Sequence, residues 1–238
     1  MTVIYQVTDT HVPDDPAEKV AGNFRQLMDY VHDNPADLLV ISGDLTKVDA
    51  SLPAYQWILE QIPSGQETVI LPGNHDDAGT MFAVFGKALC RDPDFQFTIP
   101  LGDIDLVFSN TGSTHFPADQ LDAVTSDTVR AGSVLFTHFP TRVVGDGFMD
   151  RTYPLADVDA VDARLSASHI RHVFCGHFHT EADLPGPYNL HVTPSPAFDV
   201  DLESVKPKIG PPRIPLRRID ITGREVATSV IYLDDEAA

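Results

Sequence analysis

The chain has 238 residues, of which 42% are hydrophobic and 21% are charged. This length and composition are typical of a globular protein with a full core, and they exclude a disordered or fibrous chain. The formal net charge of -19 repels polyanions and anionic membranes, so we expect a partner that is small, or itself neutral or basic, and neither a long nucleic acid nor a membrane surface.

The two cysteines, Cys90 and Cys175, are too few for the disulfide framework of a small secreted domain. The first residues are typical of a strand and not of a signal peptide. No apolar stretch approaches the roughly 20 residues that a membrane span needs. We therefore expect two reduced, buried cysteines and a cytoplasmic location.

Short apolar runs alternate with amphipathic segments in the first part of the chain. Apolar side chains at helical spacing predict helices over residues 17–31 and 53–61. The order strand, helix, strand predicts a layered α/β sheet with right-handed crossovers, whereas the later strands follow one another more directly and predict a second sheet with antiparallel members. The predicted strands span residues 2–7, 37–42, 67–71, 95–99, 103–109, 133–137, 171–175, 188–192, 216–221 and 225–232.

The sequence contains no internal repeat and no low-complexity tract. We expect a single domain over residues 1–238, because the length fits one full core. Residues 204–215 are rich in Pro and Lys and are expected to form an ordered excursion rather than a linker. A turn at Thr222-Gly223 joins the last two strands, and the segment from about residue 200 is expected to complete the second sheet.

Five of the predicted strands end in residue types that bind metal ions. Ligands bind outside the carboxyl ends of the strands in an open α/β sheet, so these side chains are expected to converge. Side chains two residues apart on an extended chain point to the same side, so Asp9 with His11, and His177 with His179, can each aim at one ion. The five clusters contain Asp9 and His11, Asp44, Asn74 with His75 and Asp76, His138, and His177 with His179.

An ordinary surface turn is the alternative interpretation of any one cluster, because Pro, Gly, Asn and Asp form turns for backbone reasons alone. That interpretation does not account for five clusters in series. Glycine precedes the polar residue at Gly43, Gly73 and Gly176, where it permits a positive φ and a close backbone approach. The histidines outside the clusters are expected on the surface or in the core, with His191 also a candidate for lining the pocket.

The ordered set Asp9-x-His11, Gly43-Asp44, Gly73-Asn74-His75-Asp76, His138 and Gly176-His177-x-His179 resembles the motif series of the calcineurin-like metallophosphoesterases. The chain length and motif spacing resemble the bacterial cyclic-nucleotide phosphodiesterase and glycerophosphodiesterase branch of that superfamily. The resemblance implies an α/β fold, a four-layer α/β/β/α sandwich of two mixed β-sheets flanked by helices.

The resemblance also implies a dinuclear metal centre bridged by Asp44. One metal would be held by Asp9, His11, Asp44 and His179, and the other by Asp44, Asn74, His138 and His177. Such a mixture of carboxylate, imidazole and amide ligands suits Mn, Fe or Zn, whereas an all-oxygen set would suit Mg or Ca. Two such cations lower the pKa of a shared water and stabilise an in-line displacement, so the implied nucleophile is a metal-bridging hydroxide.

The remaining motif residues have implied catalytic roles. His75 would face the phosphoryl group and donate a proton to the leaving oxygen, and Asp76 would support the His75 ring from behind. The sequence departs from the family at two places that bear on pocket shape. Lys47 stands where relatives often have an acidic residue, and Phe139 follows His138 where many have a second histidine.

The predicted function is metal-dependent hydrolysis of a phosphodiester, either a cyclic nucleotide or another small diester. Monoesterases tend to clamp the dianion with arginine, but no arginine stands beside the ligands, and Arg142 is the nearest. A substrate group is expected near Phe139, Phe178 or His191, although each of these residues also fits a plain core position.

Several alternatives stay open on the sequence alone. They are a phosphomonoesterase or nucleotide-diphosphate pyrophosphatase of the same superfamily, a metal-binding protein that has lost catalysis, and a nuclease. No phosphate-binding loop, nucleophile elbow or dinucleotide fingerprint is present. A nuclease would need a basic track, and the candidate residues, which also fit a solvated loop, are Lys206, Lys208, Arg213, Arg217 and Arg218.

The oligomeric state stays open as well.

Overall fold

The computed structural model describes residues 1–235. The helices are α1 Lys19–Asp33, α2 Leu52–Gln61, α3 Ala78–Cys90, α4 Ala118–Val124, α5 Phe148–Thr152 and α6 Val158–Ser166. The strands are β1 Thr2–Val7, β2 Leu38–Ser42, β3 Thr68–Leu71, β4 Phe97–Leu101, β5 Ile104–Phe108, β6 Ser133–Phe136, β7 Ile170–Cys175, β8 Ala182–Leu184, β9 Asn189–Val192, β10 Asp199–Val200, β11 Ile209–Gly210, β12 Pro215–Thr222 and β13 Glu225–Tyr232.

Two large mixed sheets form the centre of the fold. The first has the order β13-β12-β1-β2-β3, and β1, β2 and β3 run parallel. The second has the order β4-β5-β6-β7-β9-β8, and β5, β6, β7 and β9 run parallel. Strands β10 and β11 form a separate two-stranded ribbon. The predicted α/β class with two mixed sheets is confirmed.

The alternation of side chains along β5 shows how the layers are stacked. Leu106 and Phe108 belong to the core that the second sheet shares with the first, whereas Val107 belongs to the outer core. Helices α1, α2 and α3 contribute to the shared core cluster, and α4 and α6 contribute to the outer one. The layers therefore run helices, sheet, sheet, helices, as the resemblance implied.

One row of aromatic rings crosses the inner face of the second sheet. Neighbours in the row are partners in adjacent strands, with ring centroids 4.5–5.4 Å apart. Such cross-strand pairs stabilise the register of a sheet. His191 ends the row and is therefore a core residue, not part of a pocket wall. The row consists of Phe97, Phe108, Phe136, Phe174 and His191.

Every predicted strand and both predicted helices are present, with ends that shift by two residues or fewer. The periodicity did not indicate β8, β10, β11 or the helices α3 to α6. Most of these elements are too short to show a period. The longer helix α3 is interrupted at Gly86, whose φ of 65° is not helical.

The C-terminal hairpin corrects one expectation. Strand β12 pairs antiparallel with β1, so β12 and β13 extend the first sheet and not the second. The alternating pattern of the hairpin fits any free sheet edge, so the pattern alone did not indicate that the hairpin pairs with β1. That residues 1–238 fold as one domain stays a prediction, which the core shared by both sheets supports.

Arg217 on β12 connects the two sheets through the interior. Its side chain is fully buried, and its guanidinium donates to Val192 O (2.9 Å) and Thr193 Oγ1 (2.9 Å) beside β9 and lies 3.1 Å from Asp183 on β8. Arg218, the next residue, pairs with Asp220 near the surface. Burial of a paired charge makes Arg217 costly to remove, because its partners would lose their hydrogen bonds.

We expect Arg217→Met to lower the free energy of unfolding by about 1–3 kcal/mol, since buried acceptors would be left unsatisfied. Arg218→Met is the matched control and should cost less than about 1 kcal/mol, as for a partly exposed ion pair. Urea unfolding followed by circular dichroism measures both. Equal losses in the two variants would contradict the inter-sheet role of Arg217.

Candidate metal centre

The loops that follow strands of both sheets meet in one crevice. In the first sheet, Asp9 N after β1 donates to Gly43 O after β2 (2.9 Å). In the second sheet, Gly176 N after β7 donates to His138 O after β6 (2.9 Å). The His138 ring then links the sheets, because its Nδ1 lies 2.9 Å from Ser42 O. The carboxyl ends of these strands therefore converge as the sequence predicts.

The glycines before the ligand positions are required by close packing. A Cβ on Gly43 would lie 2.5 Å from His138 Nδ1 and 2.7 Å from Gly73 N, distances that Cβ atoms essentially never show. A Cβ on Gly176 would overlap the Asp9 carboxylate in the same way. Gly43 also has a φ of 101°, whereas no positive φ is found at Gly73 or Gly176. The close approach of neighbouring atoms is therefore the reason why all three positions require glycine.

The positive φ values lie on the candidate ligands themselves. Five of the nine non-glycine residues with positive φ in the described part of the chain are candidate ligands, so backbone strain is concentrated at this site. Such strain typically marks functional sites, where the surrounding structure holds it in place. The residues are Asp9 (52°), His11 (39°), Asp44 (50°), His177 (66°) and His179 (62°).

The candidate ligand atoms form two overlapping groups. The first group brings together Asp9, His11, Asp44 and His179, and the second brings together Asp44, His138 and His177, with the ligand atoms of each group within 4.8 Å of one another. All of these residues are buried. Asp44 belongs to both groups, which is the arrangement a bridging carboxylate needs.

The Asn74 side chain joins the second group. Its Oδ1 lies 3.3 Å from His138 Nε2, and that nitrogen lies 3.4 Å from Asp44 Oδ1. The neighbouring His75 is half-buried, and its ring packs edge-on to His11 with centroids 5.0 Å apart. The structure therefore brings together every residue of the predicted site except Asp76, which lies behind the turn. The division into ligands and catalytic groups stays a prediction.

Two atoms of the site show that these residues fit metal ions. Asp9 Oδ1 and His177 Nδ1 are buried, and neither has a hydrogen-bond partner among residues 1–235. An unsatisfied buried polar atom costs about 1–3 kcal/mol, which a bound cation would offset. The other oxygen of the carboxylate, Asp9 Oδ2, accepts from His177 N (2.8 Å) and Thr8 Oγ1 (2.8 Å), which directs Oδ1 to the centre.

Three candidate histidines each place one ring nitrogen beside a backbone carbonyl. Metal-binding histidines commonly donate their second nitrogen in this way, which fixes the tautomer and the direction of the ring. The other nitrogen is then left for a metal ion. The pairs are His138 Nδ1 with Ser42 O (2.9 Å), His177 Nε2 with Tyr153 O (2.9 Å) and His179 Nδ1 with Phe198 O (3.2 Å).

Burial and the nearby carboxylates shift the pKa values of three candidate histidines. Burial lowers the pKa of His11 and of His177 to about 4, which keeps both rings neutral and able to bind metal. Burial also lowers the pKa of His138, but the Asp44 and Asp9 carboxylates outweigh it and raise the pKa to about 9. A metal ion would therefore displace a proton from His138, as is common when metals bind.

Comparison with known proteins identifies the family. The model for the calcineurin-like phosphoesterases matches residues 2–181, which include every candidate ligand. The chain belongs to the calcineurin-like phosphoesterase family. Members of this family are metal-dependent phosphoesterases, so the predicted enzyme class and hydrolase activity are confirmed at that level.

Two relatives and one solved structure are similar to this phosphoesterase over most of its length. A probable cyclic nucleotide phosphodiesterase of Fibrobacter succinogenes is 31% identical over 208 residues, which cover 83% of this chain and 81% of the relative. The 3′,5′-cyclic adenosine monophosphate phosphodiesterase CpdA of Escherichia coli K12 is 28% identical over 196 residues, 76% of this chain and 70% of the relative. A dimetal phosphatase from Danio rerio shares the fold at 13% identity, with a TM-score of 0.63 over 95% of this chain and 98% of that one.

The contacts of Asp76 correct its expected role in this phosphoesterase. Its carboxylate accepts from Gly73 N (2.9 Å), from Tyr55 Oη (2.8 Å) and from Leu45 N, and none of these hydrogen bonds involves the His75 ring. Burial, and next the nearby Asp44 charge, raise the pKa of Asp76 to about 7. Asp76 therefore holds the turn that carries His75, because backbone donors and a hydroxyl compete for both of its oxygens.

The aromatic side chains near the site also differ from the expectation. Phe139 and Phe178 are 1% exposed and pack in the outer core, so they do not line the cavity. The cavity of about 400 Å³ beside the ligands is instead lined by Phe148, Tyr153 and Phe198. These residues lie in irregular segments and a short helix, where no sequence period marks them.

None of the described helices is long and apolar enough to cross a membrane.

Elemental analysis after reconstitution is expected to find two transition-metal ions per chain, because the ligand groups share Asp44. Asp44→Asn should deplete both sites, whereas His138→Ala should empty mainly one. His32→Ala, on the exposed face of α1, is the control and should keep both ions.

Two outcomes would contradict this assignment. One is well under one ion per chain in a protein whose circular dichroism shows an intact fold. The other is an equal loss of both ions from Asp44→Asn and His138→Ala, which would exclude a special role for Asp44.

Proposed function

We propose that this protein hydrolyses a small phosphodiester, a cyclic nucleotide or a similar ester, at the crevice between the two sheets. The observation that carries the proposal is the composition of the cavity that contains His11, Asp44, Asn74 and His75. It combines the metal-binding cluster with an apolar wall and a single lysine. When bound, the two metal ions would activate water and stabilise the charge that develops at phosphorus.

The charges around the cavity favour a monoanion over a dianion. Lys208 is the one lysine or arginine that lines it in the described part of the chain, and its Nζ is already paired with Asp201 at 2.6 Å. Arg142, the nearest arginine in the motif series, donates to Leu184 O and lies over the Tyr188 ring. It is therefore engaged elsewhere and does not form the bidentate clamp typical of dianion recognition.

The opposite wall of the cavity is suited to an apolar or aromatic ester group. Phe198 packs against the His179 ring in a tilted arrangement, with centroids 4.1 Å apart, and borders the cavity beside Val200 and Ile209. Phe148, which lies on α5, also borders the cavity. The second ester group of a diester would bury its apolar surface against these side chains, which favours binding. A phosphate ester of a small alcohol lacks this contribution. The names of the two bacterial relatives, a probable cyclic nucleotide phosphodiesterase and a 3′,5′-cyclic adenosine monophosphate phosphodiesterase, agree with such a substrate.

His75 would act as the acid that protonates the leaving oxygen. It lines the cavity, and it is held by its backbone, since His75 N donates to Asp44 Oδ1 at 2.8 Å. This bond fixes the main chain of His75 relative to the shared ligand Asp44. A positioned acid of this kind contributes on the order of 10²–10⁴ in rate.

The basic residues of the C-terminal segment do not favour a nuclease. Four of the five are paired with carboxylates, and so they form no free cationic track. The pairs are Lys208 with Asp201, Arg213 with Asp234 and Asp235, Arg217 with Asp183, and Arg218 with Asp220.

A diester should be preferred over a monoester. We expect kcat/KM to be higher for bis-p-nitrophenyl phosphate than for p-nitrophenyl phosphate with the same metal, since the cavity offers little charge for a dianion. Asp44→Asn protein, purified in parallel, measures any contaminating phosphatase. A reversed preference of tenfold or more, about 1.4 kcal/mol in transition-state binding, would replace the proposal with a phosphomonoesterase.

His75→Ala should keep both metal ions and lose on the order of 10²–10⁴ in kcat. The loss should be larger for methyl phenyl phosphate than for methyl p-nitrophenyl phosphate, because p-nitrophenolate departs without a proton. His115→Ala, at an exposed position, serves as the control. A parallel fall of metal content and rate would make His75 a ligand instead of an acid.

A further inference from the structure

The His75 ring contacts an acidic residue that the motif series does not include. His75 Nδ1 lies 2.7 Å from Asp49 Oδ1. The next residue, Ala50, donates its N–H to His75 O at 3.0 Å. Two consecutive residues of one loop therefore hold both the side chain and the main chain of the proposed acid.

This loop, residues 46–51, is held in place by its own hydrogen bonds. Thr46 Oγ1 donates to Val48 O (2.8 Å), and Ser51 N donates to the same carbonyl (3.2 Å). Ser51 then caps helix α2, with its Oγ accepting from Ala54 N. Ala50 has a φ of 56°, an unfavourable conformation for alanine that is typical of functional segments. The path of the loop therefore fixes where Asp49 stands.

The other charged residues near His75 are occupied elsewhere. Lys47, three residues after Asp44, pairs with Glu18 at 2.8 Å. The Asp76 carboxylate is used by the turn, as described above. Of the acidic side chains in this region of residues 1–235, Asp49 is the one that reaches the His75 ring nitrogen.

We propose that Asp49 is the positioning residue for His75, an inference that rests on the proposed function. Donation from His75 Nδ1–H to the Asp49 carboxylate would hold the ring so that Nε2 faces the cavity, and the Nε2–H of the imidazolium form is then the proton that passes to a leaving oxygen. The Asp49 side chain is 79% exposed, so its hydrogen bond contributes little to folding stability. The effect of Asp49 is therefore on the orientation of the acid and not on the stability of the fold.

The test uses Asp49→Ala and Asp49→Glu in the metal-reconstituted full chain. Asp49→Ala should lower kcat for methyl phenyl phosphate by about 10–100-fold, the usual effect of removing a residue that orients an active histidine. The loss should be smaller for methyl p-nitrophenyl phosphate, KM and the melting temperature should change little, and Asp49→Glu should restore most of the rate. Lys47→Met alters the same loop without touching His75 and should behave like the unchanged protein.

A double-mutant cycle separates this inference from the proposed function. If Asp49 acts through His75, Asp49→Ala should cause no further loss in a His75→Ala background. If His75→Ala has no effect by itself, the proposed acid is wrong. If His75→Ala slows the reaction but Asp49→Ala has no effect, or has a fully additive one, the positioning role of Asp49 is overturned while the proposed function stands.

Discussion

The close approach of the turns after β2, β3 and β6 is the constraint on which the site depends. Gly43, Gly73 and the His138 ring occupy a space in which a single added Cβ atom would overlap with its neighbours. Because of this contact, the carboxylate of Asp44 stands between ligands that come from both sheets. A larger residue at either glycine would separate the turns and so divide the ligand cluster.

The same crevice concentrates several unfavourable features that the rest of the fold must offset. Candidate ligands such as Asp9 and His179 have left-handed backbone, each at a cost of about 1–2 kcal/mol. Asp9 Oδ1 is buried without a hydrogen-bond partner among the described residues, and His138 keeps a raised pKa because two carboxylates surround it. A bound cation would give Asp9 Oδ1 a partner and would balance the two carboxylates beside His138. Metal binding is therefore the physical reason why buried polar atoms and charge coincide at one place.

The metal cluster and the cavity wall have different structural origins. The ligands follow the ends of β-strands, and their positions are fixed by the two sheets. The wall consists of Phe148 on a short helix, Phe198 before the β10–β11 ribbon and Ile209 within it. Excursions of this kind vary without disturbing the sheets, so the scaffold can retain one reaction while the ester group that it accepts changes.

The sequence by itself determined ten of the thirteen strands in residues 1–235, the α/β class and the residues of the candidate metal cluster, because alternation along a strand and ligand spacing are local properties. Tertiary structure decided which sheet β12 joins, which acid contacts His75 and which aromatic side chains border the cavity. Asp76 stands beside His75 in the sequence, yet Asp49 reaches the ring because the path of a loop brings it there. Such contacts depend on packing between distant segments, and no local pattern records them.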